Sequence, residues 1–403
     1  MEALDKDDIT AVVMLDLSAA FDVVDHSILL DKLKIYGFED KETAWMHSYL
    51  TGRRQQVYVD AALSDPLDLE AGVPQGSILG PLLYILFTND LPEAVHDHLS
   101  RNNTFYNSNC NACGSICCFA DDSTYSKSGK DTEEIKDDIK NKFKTIVDYM
   151  GKNKLVLNSD KTHLLVMATS AKHKKHEDFG IFLDTGNEII EPVSDERLLG
   201  CQLSNNFKFN CHIRDNEKSM ANVLTSRINA LRKSTFSGSF KVRKMIAEGI
   251  VISVILYIIT VYGGCSEYLL TALQMIQNTA ARCVTRLGWR TRVSLLLLQC
   301  GWLSVRQMVF YHTMLQMFKI RQDRKPVYLF NKISKEFQHK TRMATGGGIK
   351  EEQKIKSDER RKSFIPRATS SWNSLPVSLR CISSVKIFKK ELKTYVKNNV
   401  KIN

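Results

Sequence analysis

Residues 11–22 read AVVMLDLSAAFD, in which an apolar run leads into acidic side chains. The apolar run Ala11–Leu15 has the length of a buried strand and is too short for a typical helix. It ends at a carboxylate, Asp16. The stretch therefore predicts a buried strand with an acidic side chain at its end.

Two further short segments, Ile116–Ala120 and Ser123–Ser126, flank the pair Asp121–Asp122. Their composition predicts a hairpin with two acids at its tip. Adjacent carboxylates repel each other and lose hydration when partly buried, so such a pair persists most easily beside a cation. Asp-Asp is also common in solvated turns. Together with Asp16, however, the pair forms a candidate site for two magnesium ions about 4 Å apart.

The other patterns of the first half mix helices with strands. Helices are predicted over His26–Tyr36, Thr43–Leu50, Ser77–Phe87 and Asp131–Met150, and strands over Gln55–Val59, Thr162–Met167 and Leu198–Leu203, with a hairpin over Gly180–Ile190. The order lacks regular strand–helix–strand alternation, which favours an α+β fold with helices on one face of a sheet. Beyond about Phe209, long helical patterns rich in Arg and Lys predominate.

Charge divides the chain of 403 residues into two halves. Residues 1–200 contain 20 basic and 34 acidic side chains, whereas residues 201–403 contain 36 basic and 11 acidic ones. An acidic half suits divalent metals and a basic half suits a phosphate backbone, although two solvated surfaces of opposite bias would give the same counts. The uncharged stretch Gly249–Ser266 has the length of a short membrane span, but its polar residues favour a buried helix.

Cysteine and histidine concentrate just before the predicted acidic hairpin. Cys110, Cys113 and Cys117 have a spacing that zinc can use, with His96 and His98 nearby. A loop that contains incidental free thiols is the alternative. The polar, acidic stretch Met1–Asp8 does not resemble a secretory signal, so a reducing compartment is expected.

Three segments follow the order of three polymerase motifs, namely LDLSAAFD (15–22), GVPQGSILGP (72–81) and FADD (119–122). With WMHSYLTGRRQQV (45–57), they resemble the reverse transcriptase family, most closely that of non-LTR (LINE-like) retrotransposons. The resemblance runs from about Val12 to Asn205 and resumes more loosely in FIPRATSSWNSLPVSLR (364–380). It implies a polymerase palm, an antiparallel sheet with helices on one face, followed by a mostly α-helical thumb and C-terminal region.

The resemblance also implies roles for single residues near the predicted metal site. Asp16, Asp121 and Asp122 match the acids that bind two Mg²⁺ ions, with Mn²⁺ as an alternative. Lys161 matches a lysine near the triphosphate, where it would act as a general acid or as a charge clamp. A lysine on the protein surface is an equally simple interpretation.

Other matches concern the nucleotide and the primer. Phe21 matches the ring that excludes a ribose 2′-hydroxyl, although a core phenylalanine would look the same in sequence. Gln75 and Gly76 match the segment beside the incoming nucleotide, where glycine permits close backbone approach. Leu199 and Gly200 match the strand-turn that grips the primer end, for which a buried hairpin is the alternative. Phe119 stands where the family usually has tyrosine.

The family places its fingers strands ahead of Asp16, and only fifteen residues precede it here. The expectation is therefore an N-terminally truncated enzyme. Four segments are predicted: a partial palm over residues 1–206, a helical thumb-like region over 207–335, a polar linker over 336–363 and a C-terminal unit over 364–403.

Two functions are consistent with these features. The first is an RNA-directed DNA polymerase that uses an RNA template, a DNA primer and deoxynucleoside triphosphates, with action in the nucleus and no membrane. The second is a catalytically inactive remnant that binds RNA or an RNA–DNA hybrid through its basic half. A metal-dependent nuclease is a weaker third interpretation, because Gln75 and Phe21 suit nucleotide selection.

Overall fold

The structure is a computed structural model, and it describes residues 2–96, 114–175, 179–184, 188–234, 238–333, 346–351 and 355–401. The chain forms two compact units. One comprises Asp7–Leu199, and the other comprises residues 1–6 together with Gly200–Asn403. Each unit has its own hydrophobic core, one built on a sheet and one built only of helices.

In chain order, the elements up to residue 199 are α1 (Glu2–Asp5), β1 (Ile9–Leu15), α2 (His26–Ile35), α3 (Asp40–Leu50), β2 (Arg53–Gln55), β3 (Tyr58–Val59), β4 (Ala62–Leu63), β5 (Leu67–Leu69), α4 (Leu79–Thr88), α5 (Leu91–Val95), β6 (Ser115–Phe119), β7 (Asp122–Gly129), α6 (Thr132–Lys152), β8 (His163–Met167), α7 (Ser170–Lys175), β9 (Leu183–Asp184), β10 (Ile189–Ile190), β11 (Pro192–Val193) and β12 (Asp195–Leu198). Of these, α1 belongs to the other unit.

The sheet of the first unit has five strands in the order β11-β8-β1-β7-β6. Strand β1 occupies the centre of the sheet, and its side chains are nearly all apolar and buried. The pairs β8–β1, β1–β7 and β7–β6 are antiparallel. The predicted α+β fold and the predicted buried strand are confirmed, while the short β11–β8 pair at the edge is parallel.

Helices cover one face of this sheet. Residues alternate between faces along a strand, and Ile9, Ala11, Val13 and Leu15 of β1 all point into the core that the helices share. Helix α6 supplies a stripe of buried residues at helical spacing, Ile135, Ile139, Phe143, Ile146 and Met150. Its start is fixed by Asp131, whose carboxylate accepts a hydrogen bond from the Glu133 N–H at 2.9 Å.

Two strands that were predicted as continuous are broken in the structure. The predicted strand Gln55–Val59 divides between β2 and β3, which pair with β5 and β4 respectively. The predicted strand Leu198–Leu203 is interrupted, because Leu199 (φ 46°) and Gly200 (φ 79°) lie in the left-handed region, where a strand cannot continue.

The second unit consists of helices and one short strand. Its elements after α1 are β13 (Cys201–Ser204), α8 (Asn210–Ile213), α9 (Met220–Ser234), α10 (Phe240–Ala247), a π-helical turn (Glu248–Ile252), α11 (Ser253–Leu256), α12 (Ile259–Tyr262), α13 (Glu267–Thr285), α14 (Val293–Cys300), α15 (Val305–Asp323), α16 (Val327–Ile333), α17 (Asp358–Lys362), α18 (Phe364–Asn373), α19 (Val377–Arg380) and α20 (Val385–Asn399).

One core runs through this unit to the C-terminal helix. The Phe388 ring of α20 stacks on Phe318 of α15 at 4.2 Å between centroids, and Trp372 of α18 lies 5.9 Å from Phe388. All three side chains are buried. Residues 364–401 therefore pack with the preceding helices rather than alone, which differs from the predicted four segments. The boundary near residue 206 also falls earlier, at 199–200.

The uncharged stretch over residues 249–266 forms several short helical pieces. The π-helical turn leads into α11, and the left-handed backbone of Ile258 (φ 48°) then separates α11 from α12. Val251, Ile255 and Tyr262 are buried in the unit's core. Within the described residues no single helix has the length and apolarity to cross a membrane; α14 and α15, bent by 48° to each other, meet those criteria only as a pair.

Candidate active site

The strand pairing brings the three predicted acids to one edge of the sheet. Leu15 of β1 pairs with Ser123 of β7. Asp16 directly follows Leu15, and Asp122 directly precedes Ser123, so the two acids lie at neighbouring ends of adjacent strands. Phe119 pairs with Asp122, which leaves Ala120 and Asp121 as the two-residue turn of the β6–β7 hairpin. The turn is tight because Ala120 adopts φ 54°, in the left-handed region.

The acids are coupled electrostatically. Partial burial raises the pKa of Asp122, and the charges of Asp121 and Asp16 raise it further. Beneath the hairpin, burial raises the pKa of Tyr84, and the charge of Asp121 adds to the shift. A cation at this edge would relieve the repulsion among the carboxylates. The donor set, carboxylate oxygens only, suits a hard divalent ion.

The side chains are not arranged as a closed metal cage. In the parts of the chain that the structure describes, no three His, Cys, Asp or Glu side chains converge closely enough to hold an ion. Asp16, Asp121 and Asp122 therefore lie as separate carboxylates along one sheet edge, and the metal site stays a prediction that rests on their shared edge and on their chemistry.

Lys161 lies beside Asp16, with Nζ 3.7 Å from Oδ2. The chain segment before it runs along residues 16–18: the Ser18 N–H donates to Val156 O, and the Asn158 N–H donates to Asp16 O, both at 2.9 Å. A short 3₁₀ turn, Ser159–Lys161, then carries the exposed ammonium group to the carboxylate. The structure thus places Lys161 beside Asp16, while its predicted role near a triphosphate stays a prediction.

Asp25 secures both the start of α2 and the segment that leads to Lys161. Its carboxylate accepts hydrogen bonds from the Ile28 N–H at 3.0 Å, from Ser27 and from Lys154, the last two at 2.5 Å. Burial would raise the pKa of Asp25, but the bonds from Lys154, Ser27 and Ile28 outweigh it and hold the pKa well below its usual range. Because they lower the pKa, these bonds stabilise the fold more strongly when Asp25 is ionised than when it is protonated.

We expect Asp25→Ala to lower the free energy of unfolding by about 1 kcal/mol at pH 7, since it removes a helix cap and a partly exposed ion pair. A carboxyl group with a lowered pKa stabilises the fold above its unfolded pKa of about 3.9 and loses that contribution as pH falls further. Urea unfolding at pH 7 and pH 3 measures both effects. Asp25→Asn keeps the cap and should lose only the ion-pair part; an equal loss in both variants would contradict this division.

Asp22 links Phe21 and Gln75, because it follows Phe21 in the chain and accepts a hydrogen bond from Gln75. The Phe21 ring packs on Tyr84 of α4 at 4.6 Å between centroids and is only partly buried. Gln75 Nε2 donates to Asp22 Oδ1 at 2.9 Å. The Phe21 ring thus packs against the core of this unit on one side and is partly exposed on the other.

The segment around Gly72 is bonded to the chain that carries Phe21. The Val73 N–H donates to Phe21 O, and the Gly72 N–H donates to Val24 O, both at 2.8 Å. His26 Nε2 is 2.8 Å from Gly72 O. Gly76 (φ 79°) then reverses the chain, and a Cβ there would meet nothing within 4 Å. That open space is what close approach of a ligand to the Gly76 backbone requires.

A cavity of about 230 Å³ lies on one side of the acids. Asp16, Asp122, Lys161, His163 and Leu199 are among its lining residues. The predicted primer-grip residue Leu199 thus faces the same cavity as two of the acids. Gly200 has a left-handed backbone, and its Cα lies close to the Tyr257 ring, which a Cβ would approach to 3.0 Å.

Sequence reasoning did not single out three residues that shape this site. Asp22 lies within the LDLSAAFD motif, and Tyr84 lies one helical turn beyond Gly80 of the GVPQGSILGP motif. Their positions relative to these motifs could have identified both residues. Glu196, whose Oε2 is 3.4 Å from His163 Nε2 on the cavity wall, had none, because the contact joins residues from two separate strands.

The structure describes one of the three predicted zinc ligands. Cys110 and Cys113 lie outside the described residues, and Cys117 is exposed on the edge strand β6. The zinc site stays a prediction.

The basic residues of the helical unit divide into two groups. Arg243 is buried and donates to Val284 O at 2.9 Å and to Gly238 O, so it stabilises the fold and is not available to a nucleic-acid backbone. Arg227 donates to Ile250 O at 3.1 Å, and Lys244 lies 3.7 Å from Glu248. Arg232, Lys233 and Lys241 are exposed.

Comparisons with known proteins agree with this geometry. The family model described as "Reverse transcriptase (RNA-dependent DNA polymerase)" matches residues 2–209. The chain is 26% identical over 314 residues to the probable RNA-directed DNA polymerase from transposon BS of Drosophila melanogaster, covering 78% of this chain and 33% of that protein. It is 25% identical to the RNA-directed DNA polymerase from mobile element jockey of Drosophila funebris, covering 72% of this chain and 30% of the relative.

A shorter match has a higher sequence identity. Over 93 residues the chain is 40% identical to the probable RNA-directed DNA polymerase from transposon X-element of Drosophila melanogaster, covering 23% of this chain and 10% of that protein. The chain thus spans about a third of the length of the two relatives that it matches over most of its residues.

Proposed function

This chain belongs to the reverse transcriptase family, and on that premise we propose that it supplies the catalytic site of an RNA-directed DNA polymerase of the non-LTR retrotransposon type. The observation that carries the proposal is the meeting of Asp16, Asp121 and Asp122 at one sheet edge, where their charges act on one another. The substrates are a primer on an RNA template and a deoxynucleoside triphosphate.

Asp16, Asp121 and Asp122 hold two Mg²⁺ ions in this proposal, and Mn²⁺ has the same ligand preference. When bound, such ions supply Lewis-acid activation of the primer 3′-hydroxyl and neutralise charge on the leaving pyrophosphate. The carboxylates fix where these charges sit, so their contribution to catalysis is positioning and electrostatic compensation.

Lys161 has two successive roles. Without nucleotide its ammonium group lies 3.7 Å from Asp16 and offsets part of the acidic charge. With a triphosphate present, the exposed side chain turns toward the phosphates, where it stabilises or protonates the leaving group. Its stem is free to do so because Lys161 is exposed at the end of a short turn.

Phe21, Gln75 and Gly76 select and position the nucleotide. In this proposal the partly exposed Phe21 ring, which packs on Tyr84, excludes a 2′-hydroxyl by steric contact. Gln75 is oriented by Asp22, and Gly76 leaves room for the base pair to approach the backbone. Leu199 and Gly200 hold the primer end, and the exposed Arg232, Lys233 and Lys241 contact the phosphates of the template–primer duplex.

The test is incorporation of radiolabelled dTTP on poly(rA)·oligo(dT) with Mg²⁺. We expect incorporation that depends on the RNA template and stops when the metal is chelated. Omission of poly(rA) is the control for terminal addition. Binding of the hybrid without any incorporation would overturn the proposal and favour the inactive, nucleic-acid-binding remnant.

A further inference from the structure

The loop between α13 and α14 exposes a tryptophan to solvent. The indole of Trp289 is 76% exposed, whereas Trp302 and Trp372, the other tryptophans of the helical unit, are 7% and 1% exposed. Exposing so large an apolar ring costs free energy that burial would have recovered. An exposed aromatic ring on a structured loop is available for stacking by a ligand.

The loop holds this ring in a defined place. Helix α13 ends where Arg286 adopts a left-handed conformation (φ 59°), and the Thr291 N–H closes a turn onto Gly288 O at 3.1 Å. Arg282 Nη2 donates to Trp289 O at 3.2 Å. These bonds fix the backbone on both sides of the indole, so the entropy lost when a ligand stacks on it is small.

Arginines lie on both sides of Trp289 in the sequence. Arg286, Arg290 and Arg292 are exposed, and the Arg290 guanidinium lies 5.2 Å from the indole centroid. In the sequence no Asp or Glu occurs between Glu267 and Asp323. Among the described residues, no acidic side chain forms an ion pair with Arg290 or Arg292. The charge is therefore available to an anionic partner.

We propose that residues 286–292, called the Trp289 loop, bind single-stranded nucleic acid, with a base stacked on Trp289 and flanking phosphates on Arg290 and Arg292. Stacking on an exposed aromatic ring requires an unpaired base, because bases within a duplex already stack on their neighbours. This interaction goes beyond the proposed polymerase function, since that function assigns to the helical unit only phosphate contacts with a duplex, whereas the Trp289 loop binds an unpaired base.

The binding test uses fluorescence anisotropy with labelled oligo(rU) and oligo(dT), in EDTA and without nucleotides, so that it is independent of polymerase activity. We expect Trp289→Ala to raise the Kd for both single strands about tenfold. Trp45→Ala is the matched control, because Trp45 is the other exposed tryptophan, at 58%. It should change the Kd less than about twofold.

The charge contribution is tested by salt dependence. The double variant Arg290→Gln/Arg292→Gln should reduce the slope of log Kd against log salt by about 1.4, that is, about 0.7 for each phosphate that the arginines no longer neutralise. Lys390→Gln/Lys397→Gln removes the same charge from the exposed face of α20 and should leave the slope unchanged.

Three results would overturn the proposal. The first is unchanged single-strand binding in Trp289→Ala. The second is a loss of duplex binding in Trp289→Ala that equals its loss of single-strand binding, measured with poly(rA)·oligo(dT). That result would show that the loop binds the backbone without stacking. The third concerns the exposed Leu295 and Leu298 nearby. Sedimentation with phosphatidylserine vesicles that depends on Trp289, while oligonucleotide binding does not, would make the loop a membrane-binding segment instead.

Discussion

Asp16→Asn is expected to lower the rate of dTTP incorporation on poly(rA)·oligo(dT) about 10³-fold, while the affinity for the hybrid stays the same or rises. The loss follows from removing one charged ligand at the position where a metal-bound nucleophile would be held. The affinity should not fall, because the substitution removes a negative charge near a polyanion.

The geometry makes Asp16 the most informative of the three acids to change. It follows the central strand β1, which is paired on both edges, so an asparagine there leaves the backbone fixed. Asp121, by contrast, lies in a two-residue turn that depends on the left-handed Ala120. A defect in Asp16→Asn therefore reports on charge rather than on a collapsed turn.

Asp148→Asn provides the matched control, since it removes one carboxylate from the exposed face of α6 in the same unit. We expect normal incorporation in this variant. Incorporation by Asp16→Asn within a few-fold of the unchanged protein would refute the role of this acid. Equal losses in both variants would attribute the effect to net charge instead of the site.

The palm-like unit was predictable because its signals are local. The apolar run over residues 11–15 and the β-prone arms around Asp121–Asp122 each specify their own element, and β1 and the β6–β7 hairpin lie where they were predicted. Pairing these elements needs only the rule that buried strands find partners on both edges. The meeting of Asp16 and Asp122 follows from that pairing.

Features that depend on distant parts of the chain were not predictable. The β-prone pattern of residues 198–203 predicts a continuous strand, because leucine at a positive φ has no signal in such a segment, and only the motif match at Leu199 and Gly200 implied a turn. The C-terminal residues look separate in sequence because the polar segment before them resembles a linker. Only the structure shows that Trp372 and Phe388 complete a core with Phe318.

The site shows the same division between local and distant information. Lys161 is identified through its motif, yet its approach to Asp16 depends on the hydrogen bonds between residues 156–158 and 16–18. The support of Phe21 by Tyr84 joins a loop to a helix more than sixty residues later in the chain. Motifs identify which side chains matter, while packing decides what holds them.

Gly72→Ala is expected to lower the free energy of unfolding of residues 7–199 by about 3 kcal/mol. Two costs add: a left-handed backbone costs a non-glycine residue about 1–2 kcal/mol, and overpacking costs about 1–3 kcal/mol. Gly72 has φ 88°, and a Cβ there would lie 2.7 Å from Asp22 O and 2.9 Å from Asp22 Cα. Both neighbours are backbone atoms, which cannot rotate away as a flexible side chain would.

Hydrogen exchange of the β1 amides measures this loss for the sheet unit by itself, and exchange through global opening should become about 10²-fold faster. Gly52→Ala is the control, because Gly52 also has a positive φ (67°) but a Cβ there would meet nothing within 4 Å. Gly52→Ala should lose only the part of the free energy of unfolding that comes from the left-handed backbone.

Gly76→Ala separates stability from binding in the same segment. Like Gly52 it has a positive φ and open space around its Cα, so its cost in free energy of unfolding should match that control. If nucleotide and template approach its backbone, however, the added methyl group will lower incorporation beyond the loss in stability. Equal protection from exchange in Gly52→Ala and Gly76→Ala, with incorporation lost only in the latter, would place the nucleotide against Gly76. A greater loss of protection in Gly52→Ala than in Gly72→Ala would show that the contact with Asp22 does not set the cost.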